Sequence, residues 1–305
     1  MTAAEPAAVP PLLVLVGPTA TGKTELAVEL AERHGGELVS ADSVQIYREF
    51  VVGTGKPSAE ERARAVHHLI DAVDPLEPVD AARFAELAET AIQGIRVRGK
   101  LPIVCGGTFL WVRALVYGLA AAPPADPAIR VRHRALVDAE GRPALHAALA
   151  AVDPVAAARL APNDFVRVSR ALEVHELTGT PLTSFHEQHG FKTPRYRARL
   201  VGVKREPAEL DERIARRVRA MLAAGWVDEV RALIAAGYGS ARAMGSVGYK
   251  QVHAALVSGT PLDDDALYDP IRRATRVFAR RQRTWLRDEN VEWLESGVLP
   301  RLDDG

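Results

Sequence analysis

The sequence predicts an α/β protein, with a P-loop parallel-sheet core that carries helices on both faces and an all-helical insertion domain. Three observations support this prediction. A glycine-rich loop at residues 17–24 follows an apolar run and precedes a helical pattern. Strand-like and helical patterns then alternate up to residue 107, as they do in parallel sheets. From 129 to 179 the pattern is helical, and one more strand-like run follows at 198–203.

The loop GPTATGKT fits the phosphate-binding pattern G-x-x-x-x-G-K-[ST]. Gly17 and Gly22 permit turns that a side chain would obstruct, so several backbone N–H groups can face one anion. The following helix adds a partial positive charge, Lys23 adds a full charge, and the Thr24 hydroxyl can reach a Mg²⁺ ion. The predicted phosphate site consists of Gly17, Pro18, Thr19, Ala20, Thr21, Gly22, Lys23 and Thr24. The pattern predicts phosphate binding without specifying a reaction.

Each further element of the core has its own local signal. A helix at 25–34 ends at two glycines, and a short strand occupies 37–40. A longer helix at 80–98 has Asp80 as its candidate N-cap. A buried strand then runs through LPIVCGG at 101–107. Because parallel strands end at one edge of the sheet, the residues that follow these strands are expected beside the phosphate loop.

The linker-like stretch AAAPPADP marks a change of pattern. We predict a core in two parts, at 1–125 and 191–305, around a helical insertion at 126–190. The second part of the core is expected to contain one strand followed mainly by helices.

Composition restricts the classes of protein that fit. The 305 residues carry a formal net charge of zero, which argues against a protein that only coats nucleic acid. No apolar run reaches the roughly 20 residues that cross a bilayer, and the first residues lack a signal-peptide pattern. Cys105 is the single cysteine, which excludes an internal disulfide. We expect a cytoplasmic protein that is monomeric and has no membrane partner.

An acid suited to nucleotide hydrolysis is missing from its usual position. P-loop ATPases and GTPases need a second strand that ends in Asp, which positions magnesium and water. The strand at 101–107 ends in Cys-Gly-Gly, and the alternative acid, Asp71, follows only a short apolar run. The loop is therefore hypothesised to hold a diphosphate that is not hydrolysed.

Two roles are open for Asp42 in VSADSVQIYREF. An acid after a strand usually caps the next helix, and this interpretation is favoured when Asp42 is considered alone. Its position beside the phosphate site, with Gln45 and Tyr47 nearby, also suits a base that accepts a proton from a nucleophile. Thr108 has similar alternatives, as a cap for the helix that begins at Phe109 or as a hydroxyl that faces a substrate.

Arginines form two stripes at helical spacing. Arg213, Arg216 and Arg217 share one helix face. In PIRRATRVFARRQRTWLR, one face carries Arg273, Arg276, Arg280 and Arg283, and another carries Ile271, Ala274, Phe278 and Trp285. Either stripe alone is most often a solvated face. Two stripes together favour an anionic polymer as partner, because a guanidinium can contact phosphate in a bidentate manner.

Taken together, these features resemble one family, the bacterial tRNA dimethylallyltransferases (tRNA isopentenyltransferases). The motifs that carry the resemblance are GPTATGKT, SADSVQIYR, VGTGKP, HHLID, VCGGTFLWVRAL, PNDFVRVSRALEV, GSVGYKQ and ATRVFARRQRTWLR. The phosphate loop is generic, whereas DSVQIYR followed by GTGKP and HHL is specific. Enzymes of this family transfer the five-carbon group of dimethylallyl diphosphate to N6 of the adenosine just 3′ of the anticodon.

The resemblance implies that the loop holds an isoprenoid diphosphate rather than ATP, with Mg²⁺ as cofactor at Thr24. It implies Asp42 as the general base, Arg217 as a cation for the leaving diphosphate, and Thr108 as an orienting group. The implied tRNA contacts are Asp42, Ser43, Val44, Gln45, Thr108, Arg130, Val166, Arg167, Val168, Ser169, Arg170, Gly248 and Tyr249. The target base would leave its stack and meet the donor inside a channel, with the insertion clamped on the anticodon stem-loop.

Two other functions remain open from the residues. A P-loop small-molecule kinase would bind ATP and use the arginine stripes as a phosphate lid. A nucleotide-gated RNA-binding protein would use the same features without group transfer. ATP hydrolysis or phosphoryl transfer would favour these alternatives, and incorporation of label from dimethylallyl diphosphate into tRNA would exclude both.

Overall fold

A computed structural model describes residues 11–190, 193–260 and 262–302. The chain forms two compact units, one of Tyr117–Thr193 and one of the remaining residues. In the described ranges, every helix is too short or too polar to span a bilayer.

The larger unit is built on a six-stranded sheet. Its strands are β1 (Leu12–Val16), β2 (Gly36–Ser40), β3 (His67–His68), β4 (Leu101–Gly106), β5 (Ala198–Val203) and β6 (Val291–Leu294). They lie in the order β3-β2-β4-β1-β5-β6, and every neighbouring pair is parallel. The α/β class and parallel sheet predicted from the sequence are therefore confirmed.

Helices connect these strands. They are α1 (Lys23–His34), α2 (Ala59–Arg64), α3 (Ala81–Val97), α4 (Phe109–Tyr117), α10 (Pro207–Ala223), α11 (Trp226–Ala235), α12 (Tyr249–Ser258) and α13 (Asp264–Trp285). Short 3-10 helices occupy Val52–Thr54, Tyr238–Ser240 and Arg242–Gly245. Helix α1 leads from β1 to β2, and α3 leads back to β4. Right-handed crossovers in opposite directions put these two helices on opposite faces of the sheet.

Every residue of β1 is buried, as expected for a parallel sheet that is covered on both faces. Leu13 and Leu15 of β1 pack with Leu26 and Leu30 of α1, and all four are at least nine-tenths buried. As predicted, Asp80 caps α3, because its side chain accepts a hydrogen bond from the Arg83 N–H (2.9 Å).

The expectation of a single strand after the insertion is wrong. Strand β6 pairs with β5 at the edge of the sheet, and Leu200 lies opposite Val291. Its sequence, VEWL, is short and has no period-two alternation, so it gives no strand signal. Strand β3 has only two residues and was also missed.

The smaller unit is all-helical. Its helices are α5 (Pro127–Glu140), α6 (Arg142–Val152), α7 (Pro154–Arg159), α8 (Phe165–Thr178) and α9 (Leu182–His189). Leu145, Leu149, Val168 and Leu172 form the centre of its core. The unit extends beyond the predicted limits of 126 and 190 at both ends.

A buried carboxylate near the start of β2 predicts a pH dependence of stability. The Glu37 side chain is 3% exposed, and it contacts His68 (2.6 Å), Arg98 (2.5 Å) and Lys100 (3.3 Å). Hydrogen bonds, led by that from Arg98, lower the pKa of Glu37 from 4.5 to about 2. A lowered folded-state pKa stabilises the fold above pH 4.5, and this contribution is lost as the pH falls towards 2.

We expect Glu37→Gln to destabilise the fold by about 3–5 kcal/mol at pH 6, because it removes one partner of a buried ion-pair cluster. Urea unfolding should give a smaller difference between the variant and the wild type at pH 3.5. Glu29→Gln is the control, because Glu29 forms a more exposed pair with Arg33. A difference that stays constant with pH would contradict the low pKa of Glu37.

Candidate active site

The phosphate loop joins β1 to α1 at the carboxyl edge of the sheet. Gly17 and Gly22 have φ angles of 148° and 94°, and Ala20 also has a positive φ, of 66°. Among the described residues, none accepts a hydrogen bond from the backbone N–H groups of residues 20–24. These donors, together with the N terminus of α1, form a site for an anion.

Two arginines hold the outer side of the loop. The Arg213 Nε donates to the carbonyl of Ala20 (2.7 Å), and the Arg205 Nε donates to the carbonyl of Thr21 (3.1 Å). A Cβ placed on Gly22 would lie 3.4 Å from the Arg205 Nη2 and 3.6 Å from the Arg213 Nη2. The loop therefore has its carbonyl groups neutralised by cations that also stand beside the anion site.

Gln282 of α13 fixes the loop from another direction. Its Oε1 accepts a hydrogen bond from the Thr19 N–H (2.9 Å), and its Nε2 donates to the carbonyl of Gly107 (2.9 Å). A Cβ on Gly107 would lie 2.2 Å from this nitrogen, so a larger residue there would displace the Gln282 amide. One buried side chain thus connects the loop after β1 with the loop after β4.

Lys23 lies inside the site. Its Nζ donates to the carbonyl of Pro18 (3.0 Å). Burial lowers the pKa of Lys23, although Cys105 and Asp42 oppose this effect. Burial also raises the pKa of the Cys105 thiol to about 11, so the thiol is neutral at ordinary pH. A desolvated ammonium that has no ion-pair partner in the described part of the chain favours the binding of an anionic ligand.

Asp42 uses its two oxygens differently. Its Oδ1 accepts hydrogen bonds from the Val44 N–H (2.9 Å) and the Gln45 N–H (3.3 Å). Because no helix begins at residues 43–46, the helix-cap interpretation is wrong, and this oxygen instead stabilises a turn. Among the described residues, none donates a hydrogen bond to Oδ2. One oxygen thus orders the backbone, and the other remains for chemistry.

Arg217 of α10 is partly buried beside Asp42. Its Nη2 donates to the carbonyl of Thr54 (3.3 Å), and a Cβ on Gly55 would lie only 2.1 Å from the same nitrogen. Burial lowers the pKa of Arg217, and the charge of Asp42 acts in the opposite direction. The guanidinium is therefore held in place by backbone contacts with the segment that contains Thr54 and Gly55.

Two cavities meet at these side chains. The smaller, about 250 Å³, contains the phosphate loop, and the larger, about 320 Å³, lies towards α10, α11 and α13. Thr19, Lys23, Asp42 and Arg217 line both. The larger cavity has an apolar part made by Met221, Trp226 and Phe278. This arrangement suits two ligands whose reacting ends face the same four residues.

Thr108 does not cap α4 with its side chain. Its Oγ1 accepts a hydrogen bond from the Ser43 N–H (3.0 Å) and donates to the Ser43 hydroxyl (3.3 Å). Ser43, Val44 and Thr108 all line the larger cavity. The structure thus brings these three predicted residues together beside Asp42.

Among the predicted tRNA contacts, Gln45 lines the smaller cavity, and Gly248 and Tyr249 are buried. The Gln45 side chain accepts from the Ser40 hydroxyl (3.1 Å) and donates to the carbonyl of Gly55 (2.9 Å). A Cβ on Gly248 would lie 1.9 Å from the Trp226 ring. Tyr249 is fully buried. Gln45 and Gly248 thus make close contacts inside the protein.

The smaller unit contains the other predicted tRNA contacts. The buried carboxylate of Glu173 pairs with Arg130 (2.9 Å) and Arg170 (2.6 Å), so both arginines are engaged within the unit. Val168 and Ser169 are buried there, which excludes direct contact between their side chains and an outside partner. Val166 and Arg167 are exposed, although Arg167 pairs with Asp164 (2.5 Å).

Asp71, the alternative hydrolytic acid, serves another purpose. It forms ion pairs with Lys56 (2.6 Å) and Arg62 (2.9 Å), and it lines neither cavity. Asp42 is the only carboxylate among the described residues that lines both cavities.

The predicted arginine stripe on α13 is exposed, but ion pairs engage part of it. Arg272 and Arg276 pair with Asp211 (2.8 and 2.7 Å). Phe278 and Trp285, predicted to share an apolar face, are 41% and 50% exposed. The inward face carries Leu267, Ile271, Ala279, Gln282 and Leu286. On α13 and in the turn that follows it, the exposed arginines without an ion pair among the described residues are Arg280, Arg281, Arg283 and Arg287.

Sequence reasoning missed several residues that shape the site. Arg205 and Gln282 support the phosphate loop, and Trp226 and Glu229 support the segment beside Arg217. Of these residues, only Gln282 stands out in the sequence, as a glutamine within an arginine-rich helix. Its side chain is buried.

The fold and the site define a P-loop α/β protein with a cationic phosphate pocket that opens into a second, partly apolar cavity. A family model described as IPP transferase matches residues 45–289, and one described as isopentenyl transferase matches 10–71. The chain therefore belongs to the IPP transferase family.

Proteins similar in sequence or structure match nearly the whole chain. A tRNA dimethylallyltransferase of Sorangium cellulosum is 66% identical and one of Anaeromyxobacter dehalogenans is 51% identical; these matches cover 93% of this chain and 90% and 94% of the relatives. Among solved structures, a tRNA isopentenylpyrophosphate transferase of Bacillus halodurans has a TM-score of 0.68 at 38% identity, covering 94% of this chain and 90% of that one.

Proposed function

We propose that this protein transfers the dimethylallyl group of dimethylallyl diphosphate to N6 of the adenosine 3′-adjacent to the anticodon of tRNA. The observation that supports this function is the meeting of two cavities at Asp42, Lys23 and Arg217. The cationic cavity suits a diphosphate, and the cavity with aromatic and apolar walls suits a flipped base. A location in the cytoplasm and a monomeric state stay predictions.

The reaction follows from the groups at the junction. The N6 amine attacks the allylic carbon C1 of the donor, the N6–C1 bond forms, and the C1–O bond breaks. Asp42 Oδ2 accepts the proton that N6 loses, while Oδ1 keeps its two backbone hydrogen bonds. Diphosphate leaves with the bonding electron pair.

Developing negative charge on the leaving group is stabilised by fixed positive groups. The unpaired N–H groups of residues 20–24 surround the diphosphate, and Lys23 and Arg217 contribute full charges. Partial burial of both cations strengthens their interaction with the leaving group, because less water screens it.

The residues present also fit a magnesium ion. Among the described residues, no group of three or more acidic, histidine or cysteine side chains could bind an ion alone. Mg²⁺ commonly takes few protein ligands and completes its shell with phosphate and water. The Thr24 hydroxyl lines the phosphate cavity and would hold the ion, which would neutralise diphosphate charge.

One assay tests the proposed function. The full-length protein is incubated with unmodified tRNA, Mg²⁺ and labelled dimethylallyl diphosphate, and the digested nucleosides are analysed by mass. Dimethylallyladenosine is expected. ATP hydrolysis, or phosphoryl transfer to a small molecule, in the absence of label in tRNA would instead support the kinase or the nucleotide-gated RNA-binding protein.

Removing the Lys23 ammonium or the Thr24 hydroxyl should weaken the binding of the donor. We expect Lys23→Ala and Thr24→Ala to raise the KM for dimethylallyl diphosphate and to lower kcat, because Lys23 would contact the diphosphate and Thr24 would hold its Mg²⁺ ion. Removing one preorganised charge costs about 10²–10³ in rate. ATP should compete poorly with the donor in the wild type.

Lys204→Ala is the control for this prediction, since Lys204 is exposed and pairs with Glu295. Steady-state kinetics over a donor titration measures the effect. Donor kinetics in Lys23→Ala that match those of the control would contradict the assigned role of the loop.

A further inference from the structure

The 3-10 helix at Val52–Thr54 begins without a cap from its own segment. Glu229 of α11 provides one from a distant part of the chain. Its Oε2 accepts hydrogen bonds from the Val51 N–H (3.0 Å) and the Val52 N–H (2.6 Å). A single carboxylate therefore satisfies the first two donors of this short helix.

Tyr249 extends this cap by one residue. Its hydroxyl donates to the Oε1 atom of Glu229 and accepts a hydrogen bond from the Gly53 N–H (3.1 Å). The Tyr249 ring packs edge-on against Phe50 and Trp226, with centroid distances of 5.0 and 5.5 Å. The hydroxyl is thus held in one position by packing on two sides.

The Trp226 ring immobilises the same segment. A Cβ on Gly53 would lie 2.1 Å from its Nε1, and a Cβ on Gly248 would lie 1.9 Å from the other end of the ring. The indole is therefore enclosed between two backbone segments that only glycine allows to approach so closely. Residues 51–53 have little freedom to move.

The other end of this segment carries Arg217. The Thr54 carbonyl accepts from Arg217 Nη2, and the guanidinium lies against Gly55. Among the described residues, Arg217 has no ion-pair partner within 4.0 Å, so these contacts and its own helix determine its position. A shift of the segment would move the guanidinium away from the junction of the cavities.

We infer that Glu229 and Tyr249 are positioning residues, which fix the segment 51–55 and thereby hold the Arg217 guanidinium against the leaving diphosphate. This inference rests on the proposed function of the site. It assigns Tyr249 a role in leaving-group stabilisation through Arg217 rather than in contact with RNA.

The test is a double-mutant cycle with Tyr249→Phe, Glu229→Gln and Arg217→Ala in the full-length protein. Tyr249→Phe keeps the ring packing and removes only the hydroxyl. We expect each positioning variant to lower kcat by about ten- to a hundredfold, as displacement of a catalytic group does. The Kd for tRNA should be unchanged. In the Arg217→Ala background, neither substitution should lower kcat further.

Asp228→Asn and Tyr238→Phe are matched controls, because Asp228 is on the same helix but exposed, and Tyr238 lies outside both cavities. Three results would each overturn the inference. The positioning substitutions could lower kcat by the same factor in the Arg217→Ala background, Tyr249→Phe could leave kcat unchanged, or a positioning variant could have a higher Kd for tRNA than the wild type. Label transfer by the wild type in the same assay tests the proposed function separately. If that transfer fails, the function is wrong; if it succeeds and the cycle is additive, only the inference is wrong.

Discussion

Asp42→Asn should lower kcat by about two to four orders of magnitude, the usual cost of removing a general base. Asparagine retains an oxygen that can accept from the Val44 and Gln45 N–H groups, so the turn should survive. It cannot accept a proton from N6. The substitution thus separates the structural oxygen of Asp42 from the proposed catalytic one.

Asp74→Asn provides a matched control. The Oδ1 of Asp74 also accepts a hydrogen bond from the N–H two residues on, that of Leu76 (2.9 Å), but Asp74 lines neither cavity. Single-turnover transfer measures the chemical step, and filter binding measures the affinity for tRNA. If Asp42→Asn reacts at the wild-type rate, Asp42 only orders the turn, and another group must accept the proton.

The parts of the site that the sequence predicts are those encoded locally. The loop at 17–24 carries its own signal, because glycine conformation, helix N terminus and lysine lie within eight consecutive residues. Strand β5 was predicted with its observed bounds, since its apolar run is bounded by polar residues. The position of Asp42 followed from the rule that parallel strands end at one edge of the sheet.

Contacts between residues that are far apart in the sequence have no such local signal. Gln282 lies 263 residues from Thr19, and Glu229 lies 177 residues from Val52, so only the folded chain brings each pair together. Ion pairs between different helices cannot be predicted from local sequence either. Helical spacing predicted which arginines of α13 share a face, but Asp211 of another helix determines which of them remain free.

Burial gives a structural role to some of the residues that the family resemblance linked to tRNA. Arg170 has a hydrogen-bonding role with Glu173, and Val168 belongs to the core of the smaller unit. Substituting Arg170 would therefore remove a partner of a buried carboxylate, which commonly destabilises a fold. Among these residues, the exposed Arg167 remains a testable phosphate contact.

The unpaired arginines on α13 offer a more direct surface for RNA. Arg280, Arg281 and Arg283 are exposed, and Phe278 on the same helix lines the larger cavity. Exposed Trp285 adds an aromatic surface on which a base can stack. We propose that the phosphates around the target base contact this half of α13.

The triple substitution Arg280→Gln, Arg281→Gln and Arg283→Gln should therefore flatten the salt dependence of tRNA binding. Each lost phosphate contact removes about 0.7–0.9 from the slope of log K against log salt, so the expected change is roughly two to three. Glutamine retains helix propensity, and donor affinity should be unchanged.

The control is a second triple variant with Arg33→Gln, Arg83→Gln and Arg231→Gln. It changes the net charge by the same amount, at exposed arginines that already have acidic partners. Equal slopes in the two triple variants would mean that only net charge matters and that α13 is a solvated face. A slope that falls with Arg167→Gln but not with the α13 triple would assign the phosphate contacts to the smaller unit. The α13 surface is supported only if its variant alone loses salt dependence while its donor KM remains that of the wild type.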